Sequence, residues 1–365
     1  MVTTVADMIG LMERLAPARL AEEWDPVGLQ VGRQDWPVER VWVALDPLPS
    51  VISAACRENV DLLVTHHPLI FSPLRNLDCS RYPGTALCLA LENRLAVFSA
   101  HTNYDSAPRG LNDLLAERLG LKETRPLQAA GSDAIKLVAV VPSQCEGPAL
   151  NRLLAAGADR TASRRFEPHS ARLPADATPN AESRDAEAPW RGIEAVIAPD
   201  RLHKAVEHLR NLAGCEDVPL EVLPSESPGD AGNAGLGRIG ILQPPRSLAE
   251  LARHVKRKLH AGYVRICGNP DMAVDRVAIC SGSGSGLLNA FLASDAQVFI
   301  TGDFKYHDAR LIEFAERGLI DAGHFATEHI MVTSLAQRLD RRAKSAGLSV
   351  SVQACELETD VFTAL

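Results

Sequence analysis

The sequence predicts an α/β protein, a core of sheets flanked by helices and interrupted by a smaller α+β unit, and three observations predict it. Strand-length apolar runs alternate with helix-length amphipathic runs over residues 1–127. The same alternation resumes over 236–365. Between them, 128–235 carries a short repeated strand-and-helix pattern of its own, which makes it an insertion into a two-part core. With 46% of its 365 residues hydrophobic, the chain can bury a large core and is long enough for two domains.

The elements follow in order. "TVADMIGLMERLAP" places apolar residues at helical spacing and stops at Pro17. "RVWVALD" (40–46) reads as a strand, "LPSVISAACREN" as a helix, "VDLLVTHH" as a strand, "GTALCLALENR" as a helix and "LAVFSAH" as a strand. In an α/β sheet, ligands gather beyond the carboxyl ends of parallel strands, and His66, His67 and His101 stand at such ends.

In the middle segment, "KLVAVVPSQCEGPALNRLLAAGA" (136–158) is a strand, a turn and a helix; "GIEAVIAPDRLHKAVEHLRNLAG" (192–214) repeats that order before "VPLEVLP". Two such units fit a small ferredoxin-like domain. Residues 159–189, poor in apolar side chains, read as a long mobile loop, and "SESPGDAGNAG" (225–235) as a linker. The last third supplies the strand "GLGRIGIL", the helix "SLAELARHVKRKLH", the strands "DRVAIC" and "AQVFITG", and the helix "HDARLIEFAERG".

Composition narrows the function classes. Lys and Arg number 38 against 46 Asp and Glu, a formal net charge of -8 without a basic stripe, so nonspecific nucleic-acid binding is disfavoured. No run of 18 apolar residues could span a bilayer, and the amino terminus carries Asp7 and Glu13 in place of a basic, apolar signal; a cytoplasmic protein is expected. Eight scattered cysteines without a Cys-x-x-Cys pair are expected to be reduced and mostly buried.

The chemistry concentrates in four segments, "THHP" (65–68), "HTNYD" (101–105), "TGDFKYHDA" (301–309) and "GHFATEH" (323–329). Successive side chains of a strand face opposite ways, so His66 and His67 can share a pocket only where the strand gives way to a loop, and there the two rings can reach two ions. His101 and Asp105 follow a strand four residues apart, and His324 and Glu328 have the i, i+4 spacing of one helix face. Taken alone, a His/Glu helix pair is more often a solvated pair than a ligand pair; the case rests on the four segments together. Imidazole and carboxylate suit Zn, Fe, Mn, Co or Ni, a carboxylate can bridge two such ions, and the lack of a thiolate argues against structural zinc. His203, His208, His254 and His260, among charged helix residues, read as solvent-facing, and His169 lies in the presumed loop. "SGSGSG" (281–286) matches no nucleotide fingerprint and reads as a tight turn lining the pocket, with Asp25 of "EEWDPVGLQVG" as a supporting acid.

These segments, together with "EEWDPVGLQVG", "THHPLIF" and "GLGRIGIL" in the same order, resemble the Nif-three-like family of dinuclear metal-centre hexamers, also described as homologs of the type 2 form of GTP cyclohydrolase I. The resemblance spans nearly the whole chain. It implies a toroidal homohexamer with two divalent ions per chain held by His66, His67, Asp105, His324 and Glu328, Glu328 bridging, and with His101 and His307 nearby as proton-relay or substrate-contact residues. It implies that 128–235 is a PII/CutA-like inserted domain. Two departures stand out: Pro26 replaces the usual Asn after "WD", and "AGCEDVPLEVLP" (213–224) stands where a His-Pro-Tyr-Glu-Glu-Pro stretch is usual. The function implied is a metal-dependent hydrolase of a nucleotide such as GTP or of a phosphoester, with Arg109, Lys305 and Arg310 the nearest cations in sequence; the alternative is a non-catalytic metal-handling or regulatory hexamer.

Overall fold

The computed structural model describes residues 2–130, 135–158, 160–165, 190–197, 201–212, 215, 218–224 and 233–363. It divides into two compact units, Met1–Ala130 with Gly232–Leu365, and Gly131–Ala231.

The larger unit contains two mixed sheets. In the first, the spatial order is Gly28–Val31, Ala96–Ser99, Leu62–Thr65, Arg40–Ala44, Ser351–Ala354; all neighbours are parallel except the Gly28–Val31 edge. In the second it is Arg265–Cys267, Gly318–Asp321, Val298–Gly302, Ala273–Ser283, Gly235–Ser247, Lys122–Ala129, whose three parallel strands run from Gly318–Asp321 to Ala273–Ser283. Strands buried on both faces read as continuous apolar runs, as Leu62–Thr65 and Val298–Gly302 do. Val41, Val43, Leu62 and Val64 face the helices Val5–Leu15 and Ile330–Ser345 through Met8, Leu11, Leu335 and Leu339, while Leu63 and Val97 pack on the other side against Ile52 and Ala86. In the second sheet Val277, Ile279, Val298 and Ile300 meet Leu248, Leu251 and Val255 of the helix Leu248–Lys258. That helix starts where its sequence says it should. Ser247 Oγ accepts from Glu250 N at 3.2 Å and the Glu250 carboxylate accepts from Ser247 N at 3.0 Å, a capping box.

One fully buried cation ties the first helices to this sheet. Arg238 donates to Asp113, to the Gly235 and Gly237 carbonyls at 2.7 Å each, and to Ala107 and Asn233 at 3.3 Å.

The smaller unit runs strand, helix, strand, strand, helix, strand, with an antiparallel sheet in the order Arg160–Arg165, Trp190–Ile197, Ile135–Pro142, Leu220–Pro224. This is ferredoxin-like connectivity. Its helices Glu146–Ala155 and Leu202–Arg210 bury Ala149, Leu153, Ala205 and Leu209 against Leu137, Ala139, Ile193 and Ala195.

Three expectations are corrected. Within 159–189, expected to be loop, Arg160–Arg165 is a strand; an edge strand needs no apolar pattern to pair, so composition hid it. The remainder, 166–189 with His169, and 225–232 of the expected linker, lie outside the described residues. Cys79 and Cys88, expected reduced, form a disulfide because the helix Gly84–Glu92 folds Cys88 back to a Cα–Cα distance of 5.9 Å; Cys145, Cys215, Cys280 and Cys355 are buried as expected. His254 faces inward, 3.1 Å from the Leu119 carbonyl, and His208 is half-buried. Among the described residues no helix is long and apolar enough to cross a membrane.

Candidate metal centre

The parallel strands of both sheets deliver their carboxyl ends to one place. Leu62–Thr65 stops before His66, Ala96–Ser99 before His101 and Arg40–Ala44 before Asp46. From the second sheet come Ser281 to Ser283, then Asp303 after Val298–Gly302, and then the short helix His324–Glu328 after Gly318–Asp321. Because the strand ends at Thr65, His66 and His67 escape strict alternation, and their ring centroids lie 5.2 Å apart.

Four imidazoles are oriented in the same manner. Nδ1–H is donated by His66 to the Ala100 carbonyl at 3.0 Å, by His67 to Asp46 Oδ1 at 2.7 Å, by His101 to Asp25 Oδ1 at 3.0 Å and by His324 to Asp303 Oδ2 at 2.9 Å. Carbonyls and ionised carboxylates only accept, so the proton is fixed on Nδ1 and Nε2 remains the ligand atom, as in histidine metal sites. Asp25 is held in turn by Thr102, whose N–H donates at 2.9 Å and whose hydroxyl donates as well.

Glu328 stands at the centre. Its Oε1 is 3.6 Å from His66 Nε2, and its Oε2 is 3.1 Å from His67 Nε2 and 3.0 Å from His324 Nε2. The Nε2 atoms of His67 and His324 are themselves 3.3 Å apart. Yet Glu328 Oε2 and His66 Nε2 are buried without a hydrogen-bond partner, since these approaches lack hydrogen-bond geometry. Asp105 lies 3.8 Å from His66 Nε2 and accepts from Ser281 Oγ at 2.9 Å. Two overlapping groups result, His66 with His67 and His101, and His67 with His324 and Glu328; within each, the ligand atoms lie within 4.8 Å of one another. Convergent buried donor atoms, two of them without a hydrogen-bond partner, fit divalent cations, and the all-N/O donor set suits Zn, Fe, Mn, Co or Ni.

In the protein alone, protons stand in for that charge. Burial opposes the imidazolium form of His67, but Asp46 and Glu328 beside it raise it to about 10; burial likewise opposes His324, which Glu328 and Asp303 raise to about 9. His66 is raised against its burial by Asp105 and Glu328. Burial disfavours an ionised Glu328, yet the imidazoles of His66, His324 and His67 hold it well below the usual carboxylate range. Burial raises Asp105, partly offset by His66.

A cavity of about 630 Å³ opens over the cluster, with His67, His101, Asp105, His324 and Glu328 in its floor and Trp24, Phe71, Leu236 and Leu287 in its walls. Ser281 and Ser283 line it, and Gly282 (φ +57°) donates its N–H to Thr327 Oγ1 at 3.0 Å. "SGSGSG" thus lines the pocket, not as the expected tight turn but as the end of the strand Ala273–Ser283 and the start of the short 3-10 helix Ser285–Leu287.

The structure brings together His66, His67, His101, Asp105, His324 and Glu328. It leaves His307 exposed on the helix Tyr306–Phe314, against the Tyr306 ring and outside the cavity lining. Arg109 and Lys305 are exposed, Arg310 pairs with Glu313, and none of the three lines the cavity. Sequence reasoning missed Asp46 and Asp303. Their signal was available, an acid closing the strands "RVWVALD" and "VFITGD".

Fold and site define the class: a two-sheet α/β protein whose strand ends assemble a histidine and carboxylate centre able to hold metal. The chain belongs to the family described as Duf34/NIF3 (NGG1p interacting factor 3), whose model matches residues 3–361. A Bacillus subtilis relative named "GTP cyclohydrolase 1 type 2 homolog" is 32% identical over 98% of each chain. A Bacillus cereus protein related to NIF3 superposes with a TM-score of 0.76 at 30% identity, covering 100% of this chain and 99% of that one. A Staphylococcus aureus protein gives 0.81 at 26% identity with the same coverage.

Proposed function

We propose that His66, His67, Asp105, His324 and Glu328 would hold two divalent ions, with Glu328 at the centre of the set, and that the chain is a metal-dependent hydrolase of a phosphoester. The observation that carries this reading is the pair of buried, partnerless atoms, His66 Nε2 and Glu328 Oε2, among imidazoles whose Nδ1 protons are all committed elsewhere. When bound, two such ions supply an activated water at neutral pH and polarise the bond attacked. The chain's own residues do the rest. Asp46, Asp303 and the Ala100 carbonyl orient the ligand rings. His101, held by Asp25 and facing the cavity, either completes the ligand set or moves a proton to the leaving group. His307, exposed and outside the cavity lining, is not among the groups that face the cluster within one chain. Trp24 and Phe71 line the cavity beside the cluster.

Assembly into a homohexamer is part of this proposal and rests on the family resemblance. A nucleotide such as GTP, the substrate of the relatives' printed name, draws less support, because Arg109, Lys305 and Arg310 stand outside the cavity. The same observation favours, as a second reading, a metal-handling protein that turns nothing over. Elemental analysis of wild type and Glu328→Ala, beside a hydrolysis screen of nucleotides and phosphoesters, separates these. Two ions per chain, lost in the variant together with turnover, support the hydrolase. Two ions without turnover transfer the weight to metal handling, and no bound metal under replete conditions refutes both.

A further inference from the structure

The charge of the cavity and the nature of its walls restrict what it can bind. Among the described lining residues there is no Lys or Arg. Carboxylates are abundant: Glu22 at the rim, Asp105 and Glu328 in the floor, and Asp25, Asp46 and Asp303 hydrogen-bonded to the imidazoles. Of these, Glu22, Asp105 and Glu328 line the cavity itself, and two divalent ions bring four positive charges against those three, a surplus of one that matches a single negative charge and not a polyphosphate, while a low-dielectric wall makes unpaired charge costly. Above the floor the surface is apolar and aromatic. Trp24 and Phe71 are 59% and 57% exposed, their rings 5.9 Å apart and tilted by 54°, with Trp24 also 6.0 Å from the His101 ring. Large aromatic side chains left open beside a polar floor are the form of a ring-binding subsite. Gln128, also in the lining, offers a neutral donor and acceptor.

We propose that the site selects a low-charge phosphoester, a diester with a single negative charge placed over the metal cluster and a planar ring seated against Trp24 and Phe71, and that it discriminates against nucleoside triphosphates. This inference rests on the hydrolase reading for the chemistry, but its binding selectivity can be tested apart from turnover. The full-length protein loaded with Mn is titrated calorimetrically, at 0.15 M salt, with diphenyl phosphate, dimethyl phosphate and GTP, and its metal content is checked after each titration. Diphenyl phosphate should bind about tenfold or more tighter than dimethyl phosphate, the factor that one or two ring contacts supply. It should also bind tighter than GTP. In Trp24→Ala/Phe71→Ala, with both residues on the surface and metal retained, the preference for the ring should fall to within about threefold of unity. GTP binding as tightly as the diester, or a ring preference that survives the double substitution, overturns the proposal. Selective binding without cleavage of bis(4-nitrophenyl) phosphate would leave the selectivity standing and refute the hydrolase reading instead.

Discussion

Gly282→Ala tests the centre without removing a ligand. Gly282 has φ +57°, and a Cβ built there would lie 3.0 Å from Glu328 Cδ and 3.2 Å from His324 Nε2, with Glu328 Oε1 closer still. The left-handed backbone costs an alanine about 1–2 kcal/mol. Relieving the clash requires the carboxylate to retreat by about 1 Å, since non-bonded carbon contacts are optimal near 3.5–4.0 Å. Metal–ligand distances tolerate only about 0.2 Å, so the retreat exceeds what coordination allows. Metal affinity should therefore fall by about 100-fold, the upper end of what disturbed ligand orientation costs. The metal-free protein should lose only a few °C in unfolding midpoint. Gly286, in the same glycine-rich stretch, has open space around its Cβ position and no positive φ, so Gly286→Ala is the control and should keep its metal. The assay is elemental analysis after dialysis, joined to thermal unfolding with and without metal. A Gly282→Ala protein with full stoichiometry and unchanged metal-dependent stabilisation would refute the placement of Glu328 at the centre.

Further outcomes follow from the same geometry. Glu358, near the carboxyl terminus, accepts from the Leu45 N–H at 2.8 Å and the Asp46 N–H at 2.7 Å, and Asp46 orients His67; Glu358→Gln should weaken metal binding by roughly tenfold in a competitive chelator titration, and an unchanged affinity would break that chain of support. Arg238→Met strands several carbonyls in the interior and takes the cation from the half-buried Asp113, and should cost about 3–5 kcal/mol by denaturant unfolding; a loss under about 1 kcal/mol would show the network to be replaceable. Because His67 and His324 are raised to about 10 and about 9, metal uptake at pH 7.5 should expel about two protons per chain, read by calorimetry in buffers of different ionisation enthalpy. The same raised values mean that the metal-free protein draws full stability from these imidazolium pairs below the ordinary histidine value of 6.5 and loses it as pH climbs through about 9 to 10. Stability of the chelated protein that stays flat to pH 10 would contradict this. Glu328 has the opposite sign, its contribution vanishing only in acid well below 4.5.

What the sequence determined by itself is local. The alternation of strand and helix around "VDLLVTHH" and "AQVFITG" follows from periodicity, because each element's hydrogen bonds and side-chain repeat are set within a few residues. For the same reason the end of a strand at His66 and His67 and the i, i+4 placement of His324 and Glu328 were legible. Motif order along the chain carried the family. Tertiary structure alone decided the rest. His67 and His324 are 257 residues apart in sequence, yet their Nε2 atoms stand 3.3 Å apart because two sheets present their strand ends to each other. That packing also chose Asp46 and Asp303 from among many acids as the acceptors that aim the rings, left His307 on the surface, brought Glu358 back to the end of Arg40–Ala44, and enclosed Arg238. Convergence of this kind is fixed by how layers pack, and periodicity within one element holds no record of it.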